Sequence, residues 1–236
     1  MAKKKRKKKR KLKIKNIIIF LLVILIFCGL IFYIITMPIK NIYITGNKIL
    51  TDDIILNEAS IDEYPSFLLT PSSKISNKLK KDKYINKVKV KKKIGNILKI
   101  TIEEFKAIAL TKNNKLILSS GEIIDNNYNI SDVAILNNEV SKDIFPNFVK
   151  KFSIVNSDIS RQISQIEYSP VKVDNERFLL YMDDGNIVYI TLTKIKKINK
   201  YNQIKDKLAG KTGVIYLDSG DYIEIKDNKI PTKPNN

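Results

Sequence analysis

The chain has 236 residues, 44% of them hydrophobic, and a formal net charge of +19, with no histidine and a single cysteine, Cys28. This composition excludes a disulfide framework, a Cys/His zinc site and a Cys–His or Ser–His–Asp nucleophile within one chain. The length permits one large domain or two small domains with appendages.

The positive charge is concentrated at the N-terminus. Eleven of the 43 Lys and Arg residues lie within residues 3–15, which contain no acidic residue. The rest of the chain carries a mild excess of eight positive charges. The net charge therefore indicates a basic tail, residues 1–16, rather than a generally cationic protein.

An apolar segment follows the basic tail. Residues 17–35 contain no charged side chain, and at ~1.5 Å per residue a helix of this length spans close to the ~30 Å hydrocarbon core. A buried core helix is usually shorter or amphipathic. A signal peptide would end in the small residues of a cleavage site, whereas this segment ends in Tyr33–Pro38, which offers no such site. We therefore predict a transmembrane helix over residues 17–37 that stays as an anchor.

The asymmetry of charge around this segment predicts its orientation. The basic block precedes the helix, and only Lys40 lies just beyond it. The positive-inside rule then places the N-terminus in the cytoplasm and the remaining chain in the periplasm or outside the cell. The predicted contacts are the lipid bilayer and, for the tail, anionic inner-leaflet lipids, at up to ~1 kcal/mol per cation. Nucleic-acid binding by the tail is the alternative, but the topological role is sufficient and no nucleic acid is expected.

Residues 38–106 have the pattern of a small α+β domain. The segment Ile39–Thr45 is predicted to be a strand that ends at Gly46. Thr51 is predicted to cap a short helix, because two aspartates follow it at the positive end of the helix. The residues expected to face inward are Ile42, Ile44, Ile54, Ile55 and Ala59.

A second helix and two strands complete this domain. After the loop Asp62–Pro71, Ser72 or Ser73 is expected to cap the helix, and Gly95 marks a turn between the strands. Lysines alternating within Val88–Lys93 form a basic stripe, which we interpret as a solvated edge, with membrane-surface contact as the alternative. The predicted order is β-α-α-β-β, with two helices on one face of a sheet. The apolar residues expected in these elements are Ile75, Leu79, Val88, Val90, Leu98, Ile100 and Ile102.

Residues 107–226 are richer in strands and are predicted to form a β-rich mixed domain, which makes the fold class α+β. The strongest signal is a hairpin around Asp183–Asn186. Residues 227–236 are polar and are expected to form a flexible tail. The predicted strands are Ala107–Thr111, Leu116–Leu118, Glu122–Ile124, Val133–Leu136, Phe178–Met182, Ile187–Leu192, Val214–Leu217 and Tyr222–Lys226. The predicted helices contain Phe145, Phe148, Val149 and Phe152, then Ile195, Ile198, Ile204 and Leu208, with a stop at Gly210.

Three stretches carry a resemblance to a known family. Ile39–Thr51 resembles the opening of a POTRA domain, and Tyr84–Glu103 is similar to the closing hairpin of that domain. Tyr181–Gly185, a Lys-rich helix and Gly213–Leu217 are similar to the end of a second, β-rich domain. Following a basic tail and one apolar segment, this order of parts resembles the FtsQ/DivIB family of bacterial cell-division proteins.

The resemblance implies a non-enzymatic scaffold at the division septum. Members of this family bind two bitopic coiled-coil proteins, FtsL and FtsB (DivIC), and help control septal peptidoglycan synthesis. Their main binding surface is the outer edge of the β-rich domain near its last strand.

The last strand is therefore the candidate binding site. An edge strand exposes unpaired backbone groups and can accept a partner's strand. In this strand Ile223 and Ile225 are expected to face the core, whereas Tyr222 and Glu224 face outward. A simpler interpretation is that the final hairpin only completes a sheet. The predicted partner-binding residues are Tyr216, Leu217, Tyr222, Ile223, Glu224 and Ile225.

Two other functional classes are alternatives to the scaffold. A peptidoglycan hydrolase needs two carboxylates of different pKa facing one cleft. The adjacent pairs Asp52/Asp53, Glu103/Glu104 and Asp183/Asp184 fit a helix start, a strand end and a turn, so no catalytic, cofactor-binding or metal-binding residue is predicted. The second alternative is a signal-anchored surface protein that acts on or binds the cell wall, unrelated to division.

Overall fold

The computed structural model describes residues 14–225, so most of the predicted basic tail and all of the predicted C-terminal tail lie outside the described residues. The first helix, α1, spans Ile14–Thr36, and none of its residues is buried. It is the one helix in the described range that is long and apolar enough to cross a membrane. Its backbone hydrogen bonds close within the helix, which is the condition for a segment that crosses lipid.

From α1 onward the chain separates into two compact units. The first runs up to Asp82 and includes Lys87–Glu103, and the second contains Lys83–Asn86 and continues from Glu104. Beyond α1, the elements named for the first unit are β1 (Asn41–Thr45), α2 (Asp52–Ala59), α3 (Ser72–Leu79), β2 (Ile85–Lys93) and β3 (Ile97–Glu104).

The first unit has the predicted β-α-α-β-β order. Its three strands form a sheet in the order β1-β3-β2, with β1 parallel to β3. The residues that line its interior are fully or almost fully buried, namely Ile55, Ala59, Ile75, Leu79, Leu98, Ile100 and Ile102. The inward face assigned to α2 and α3 is therefore confirmed, because side chains at i and i+4 lie on one side of a helix.

The starts of the two helices differ in their capping. Thr51 caps α2 as predicted, since its hydroxyl accepts the N–H of Ile54 at 3.4 Å. The prediction that Ser72 or Ser73 caps α3 is wrong. The helix begins directly after Pro71, whose carbonyl accepts the N–H of Lys74 at 3.0 Å. The ring of proline holds φ at −67°, which suits a helix entry, so the helix starts one residue earlier than a serine cap would allow.

Gly46 ends β1 at a point where no other residue fits. Its φ is +92°, and a Cβ there would lie 2.2 Å from the carbonyl oxygen of Ile102 on β3. The Gly-Asn pair in the sequence therefore marks a close backbone approach as well as a turn.

The described part of the second unit forms one nine-stranded sheet, in the order β12-β11-β10-β9-β8-β7-β4-β5-β6. The helices of this unit are α4 (Phe145–Phe152), α5 (Ser157–Ser160), a 3₁₀ helix (Leu192–Lys200) and α6 (Tyr201–Lys207). The strands are β4 (Ala107–Thr111), β5 (Lys115–Leu118), β6 (Ile123–Asp125), β7 (Ile135–Leu136), β8 (Ile163–Tyr168), β9 (Arg177–Met182), β10 (Ile187–Thr191), β11 (Gly213–Tyr216) and β12 (Tyr222–Ile225). With the first unit, this confirms the predicted α+β class.

Aromatic side chains of α4 fill the core against the sheet. Phe148 stacks on Phe178 of β9 with ring centroids 5.2 Å apart, and Phe152 meets the same ring edge-on at 5.7 Å. Phe148, Val149 and Phe152 are buried, as their helical spacing predicts. Pro146 lies in the first turn of α4, where a missing N–H has no helical partner to lose.

Three elements of the second unit differ from the prediction, and the short helix α5 is one that was not predicted. The expected helix through residues 195–208 is a 3₁₀ helix followed by α6, because its buried residues recur at intervals of three, at Leu192, Ile195, Ile198 and Tyr201. A 3₁₀ helix has three residues per turn and places such a row on one face. The central strand β8 was not predicted. Its pairing with β9 shifts between Ile163 and Gln165, and this bulge breaks the alternation by which strands are recognised.

Candidate partner-binding edge

The strand β12 lies at one margin of the nine-stranded sheet. It pairs antiparallel with β11, with Gly213 opposite Ile225 and Tyr216 opposite Tyr222. Within residues 14–225 no strand lies on its other side. The backbone of β12 is therefore open to a further strand along that margin.

The six residues predicted to bind a partner do not all share one surface. Tyr222 and Glu224 are exposed and Tyr216 is half-buried beside them, so these three form an outer face. Ile223 packs against the core of the second unit. Leu217 is 4% exposed and belongs to that core, so it supports the edge from beneath.

The expectation that Ile225 faces the core is wrong. Its side chain is 46% exposed, although it lies on the same side of β12 as Ile223. The residue opposite it on β11 is Gly213, which has no side chain to cover it. The margin of the sheet therefore presents an apolar side chain at the end of the open strand.

A ladder of stacked rings organises the outer face. Tyr189 of β10 stacks on Tyr216 with centroids 5.1 Å apart and planes 8° apart, and Tyr216 stacks on Tyr222 at 4.4 Å and 13°. The guanidinium of Arg177 on β9 lies 4.2 Å from the centroid of the Tyr189 ring. Each aromatic pair contributes about 0.5–1.5 kcal/mol, and the cation adds a similar amount. The ladder therefore links four neighbouring strands up to the margin.

Arg177 also holds the loop between β11 and β12. Its Nε donates to Oδ2 of Asp218 at 2.9 Å, and both side chains are largely buried, at 18% and 11% exposed. Lys194 donates to the backbone carbonyl of Asp218 at 2.5 Å, and Lys197 pairs with Asp221 at 2.6 Å. The hydrogen bond from Lys197 lowers the pKa of the Asp221 carboxyl. Arg177 therefore both ends the ladder and holds the turn between β11 and β12 in place.

A buried polar cluster anchors the start of β11. The side chain of Asn186 is 3% exposed, accepts the N–H of Gly213 at 2.8 Å and donates to the hydroxyl of Tyr201 at 2.9 Å. Tyr201 in turn donates to the carboxylate of Asp184 at 2.8 Å. Burial raises the pKa of the Tyr201 hydroxyl, and the hydrogen bond to Asp184 raises it further. The cluster joins the β9–β10 turn to β11, the strand that pairs with the open strand β12.

The backbone of β12 also depends on a glycine. A Cβ at Gly213 would lie 2.6 Å from the carbonyl oxygen of Glu224. Real Cβ atoms do not approach an oxygen so closely, so any side chain at position 213 displaces one of the two strands.

Sequence reasoning identified the last two strands but missed two members of the ladder, Tyr189 and Arg177. The signal for Tyr189 was present, since its strand places it on the face opposite Val188 and Ile190, which are buried. Its partner on β11 depends on strand register, which the sequence does not display. Across residues 14–225, no group of three or more His, Cys, Asp or Glu side chains is placed to hold a metal ion.

An apolar helix long enough to cross a membrane, a β-α-α-β-β domain and a β-rich sheet with an open final strand are together the features of a POTRA-type protein with a candidate membrane span. Residues 37–105 match the family model for the FtsQ-type POTRA domain, and residues 107–224 match the model for the C-terminal region of cell division protein FtsQ/DivIB. The chain belongs to the FtsQ/DivIB family of cell-division proteins, which confirms the resemblance found in the sequence.

Individual relatives agree with this assignment. The chain is 28% identical to cell division protein DivIB of Bacillus subtilis over 193 residues, covering 79% of this chain and 73% of that one. It is 29% identical to DivIB of Listeria monocytogenes over 216 residues, covering 88% and 80%. The match to a solved extracytoplasmic domain of DivIB from Geobacillus stearothermophilus covers 45% of this chain and 96% of that domain, at 20% identity and a TM-score of 0.38. A role in cell division follows, and the alternative of a surface protein unrelated to division is set aside.

Proposed function

We propose that this protein is a non-enzymatic scaffold of the division machinery that binds other single-pass division proteins through the margin of its β-rich domain. The observation that carries the proposal is the unpaired side of β12, whose outer face is organised by the ring ladder. A partner strand added there would complete hydrogen bonds to β12, while Tyr222 and Glu224 contact its side chains.

The partners best suited to this site are bitopic coiled-coil division proteins of the FtsL and FtsB/DivIC type. Through them the scaffold would help control septal peptidoglycan synthesis. The support is the family membership together with an edge held in place by the ring ladder and the Arg177–Asp218 pair, because a preorganised strand loses less conformational freedom on binding.

The anchoring proposed is a single membrane crossing by the apolar part of α1, from residue 17 onward, with residues 1–16 in the cytoplasm. The β-rich domain then lies in the periplasm or outside the cell and is expected at the division septum. The charge difference across the apolar helix supports this orientation.

A non-catalytic role is supported by the structural roles of carboxylates in the sequence-adjacent acidic pairs. Asp52 and Asp53 lie in the first turn of α2, where they favour the helix. Asp184 is engaged by Tyr201 and Lys205 at the hairpin turn. These positions give each of the three carboxylates a structural function.

Replacing Ile225 with proline tests the edge. Proline removes a backbone donor from β12 and restricts its φ, so affinity for co-expressed bitopic partners should fall about tenfold, the equivalent of one lost hydrogen bond. Affinity is measured by co-purification of the full-length chain with its partners, and septal recruitment of a tagged copy provides a second readout.

Ile123→Pro is the matched control for this experiment. Ile123 lies on β6, the strand at the opposite margin of the same sheet, and is 49% exposed. The I123P variant should retain both partner binding and septal recruitment. Unchanged affinity of a folded I225P variant, or equal losses in both variants, would refute β12 as the binding site.

A further inference from the structure

The end of the first unit at which α1 stops carries an exposed apolar patch, defined here by Tyr64, Leu68, Leu69 and Ile94. These side chains are 45%, 51%, 65% and 101% exposed. None of them belongs to the buried core of the unit. Large apolar side chains grouped at one end of a domain indicate a contact surface.

Hydrogen bonds place both parts of this patch beside the end of α1. The loop that contains Leu68 and Leu69 is tied to the helix exit, because Phe67 N–H donates to the Met37 carbonyl at 2.8 Å and the Ser66 hydroxyl donates to the Ile35 carbonyl. The loop therefore lies where the chain leaves the apolar helix.

The β2–β3 turn that carries Ile94 lies at the same end. The side chain of Asn96 donates to the Pro38 carbonyl at 3.0 Å, and its backbone carbonyl accepts the N–H of Lys40 at 2.9 Å. Lys92 joins the turn to the loop. Its ammonium group donates to the backbone carbonyl of Phe67 and lies 4.6 Å from the centroid of the Phe67 ring. Loop and turn thus form one surface around the helix exit.

The charges around the patch are mostly positive. Lys40, Lys91 and Lys93 are exposed next to the turn, and the acidic residues of the neighbouring loop are Asp62 and Glu63. Apolar side chains flanked by lysines and a tyrosine are the combination that binds at the headgroup level of a bilayer.

We propose that the POTRA-type domain rests on the outer surface of the membrane through this patch. Leu68, Leu69 and Ile94 enter the headgroup region, and the three exposed lysines face lipid phosphates. The occupant is the lipid that surrounds α1, because the patch is continuous with the point at which that helix leaves the bilayer. The inference relies on α1 crossing the membrane and goes beyond partner binding at β12.

Tryptophan fluorescence tests this contact directly, because the natural chain contains no tryptophan. The variant Ile94→Trp is reconstituted as the full-length chain in nanodiscs of phosphatidylcholine and phosphatidylglycerol. Its emission should shift to shorter wavelength, and it should be quenched by lipids with brominated acyl chains but poorly by iodide in the buffer. A second variant, Leu69→Trp, should behave in the same way.

Thr101→Trp is the control for position. Thr101 is exposed on β3, four residues or ~13 Å along the strand from the end that adjoins Pro38. It should emit as a water-exposed tryptophan, with strong quenching by iodide and none by brominated lipid. Circular dichroism of each variant checks that the substitution leaves the fold unchanged.

Equal spectra for the I94W and T101W variants, whether both water-exposed or both lipid-quenched, would overturn the proposal. A water-exposed tryptophan in I94W would mean that lipid does not cover the patch. The nanodiscs contain no other protein, so this result would leave the scaffold function at β12 untouched. Failure of the chain to enter nanodiscs would overturn the membrane crossing itself, and with it the docking.

Discussion

At the level of single residues, Gly213 permits the close approach of β12 to β11. Its φ is ordinary, so an alanine there is opposed only by the 2.6 Å contact with the Glu224 carbonyl oxygen. We expect Gly213→Ala to lower the free energy of unfolding by about 1–3 kcal/mol, measured by urea denaturation, and to weaken partner binding. Lys211→Ala, at an exposed position two residues earlier, should change neither. A fully stable G213A variant would show that the margin of the sheet is not tightly packed.

Asp184 should make the free energy of unfolding depend on pH in the acidic range. Burial alone would raise the pKa of its carboxyl, but hydrogen bonds from Tyr201, Lys205 and the Asn186 N–H lower it overall. The unfolded chain therefore binds the proton more readily, and the stabilisation is present above about pH 4 and lost as the pH falls through the folded pKa. Urea denaturation at several pH values measures this loss.

The variant Asp184→Asn separates this residue from the other carboxylates. It should lose about 1–3 kcal/mol of unfolding free energy at neutral pH and show a weaker further decline in acid, because its side chain no longer titrates. Asp183→Asn changes the exposed neighbour and should keep the acid dependence of the natural chain. An identical acid response in D184N and the natural chain would contradict this role.

At the level of helices and strands, spacing within the sequence explains which predictions were correct. The helices α2 and α4 place their apolar residues at i, i+3 and i+4, and both were predicted. The 3₁₀ helix has a strict interval of three, which was taken for an ordinary helix. The strand β8 buries Ile163 and Ile166 on either side of a bulge, so neither the helical nor the strand period identified it.

Local spacing also predicts only part of the binding edge formed by β12. Alternation in the last strand predicts that Ile223 and Ile225 share one side, and they do. Burial also depends on what lies opposite, and Gly213 leaves Ile225 exposed. The Tyr189–Tyr216–Tyr222 ladder likewise depends on register between strands, which is set by pairing and not by local pattern.

For the molecule as a whole, protease accessibility tests the orientation of the chain in the membrane. Protease added to intact cells, with any outer membrane permeabilised, should remove an epitope at the C-terminus and spare one at the N-terminus. A cytoplasmic marker protein should survive the same treatment. Protection of the C-terminal epitope with loss of the N-terminal one would invert the topology and remove the basis of the scaffold proposal.

The apolar helix, the β-α-α-β-β order and the family could all be predicted from the amino-acid sequence, because they follow from runs, periods and turn residues a few positions apart. The contacts between side chains and backbone groups far apart in the chain could not be predicted. Arg177 and Asp218 are 41 residues apart, and the Asn96 side chain reaches Pro38 across 58 residues. Such contacts depend on how distant segments pair, and only the folded chain brings those segments together.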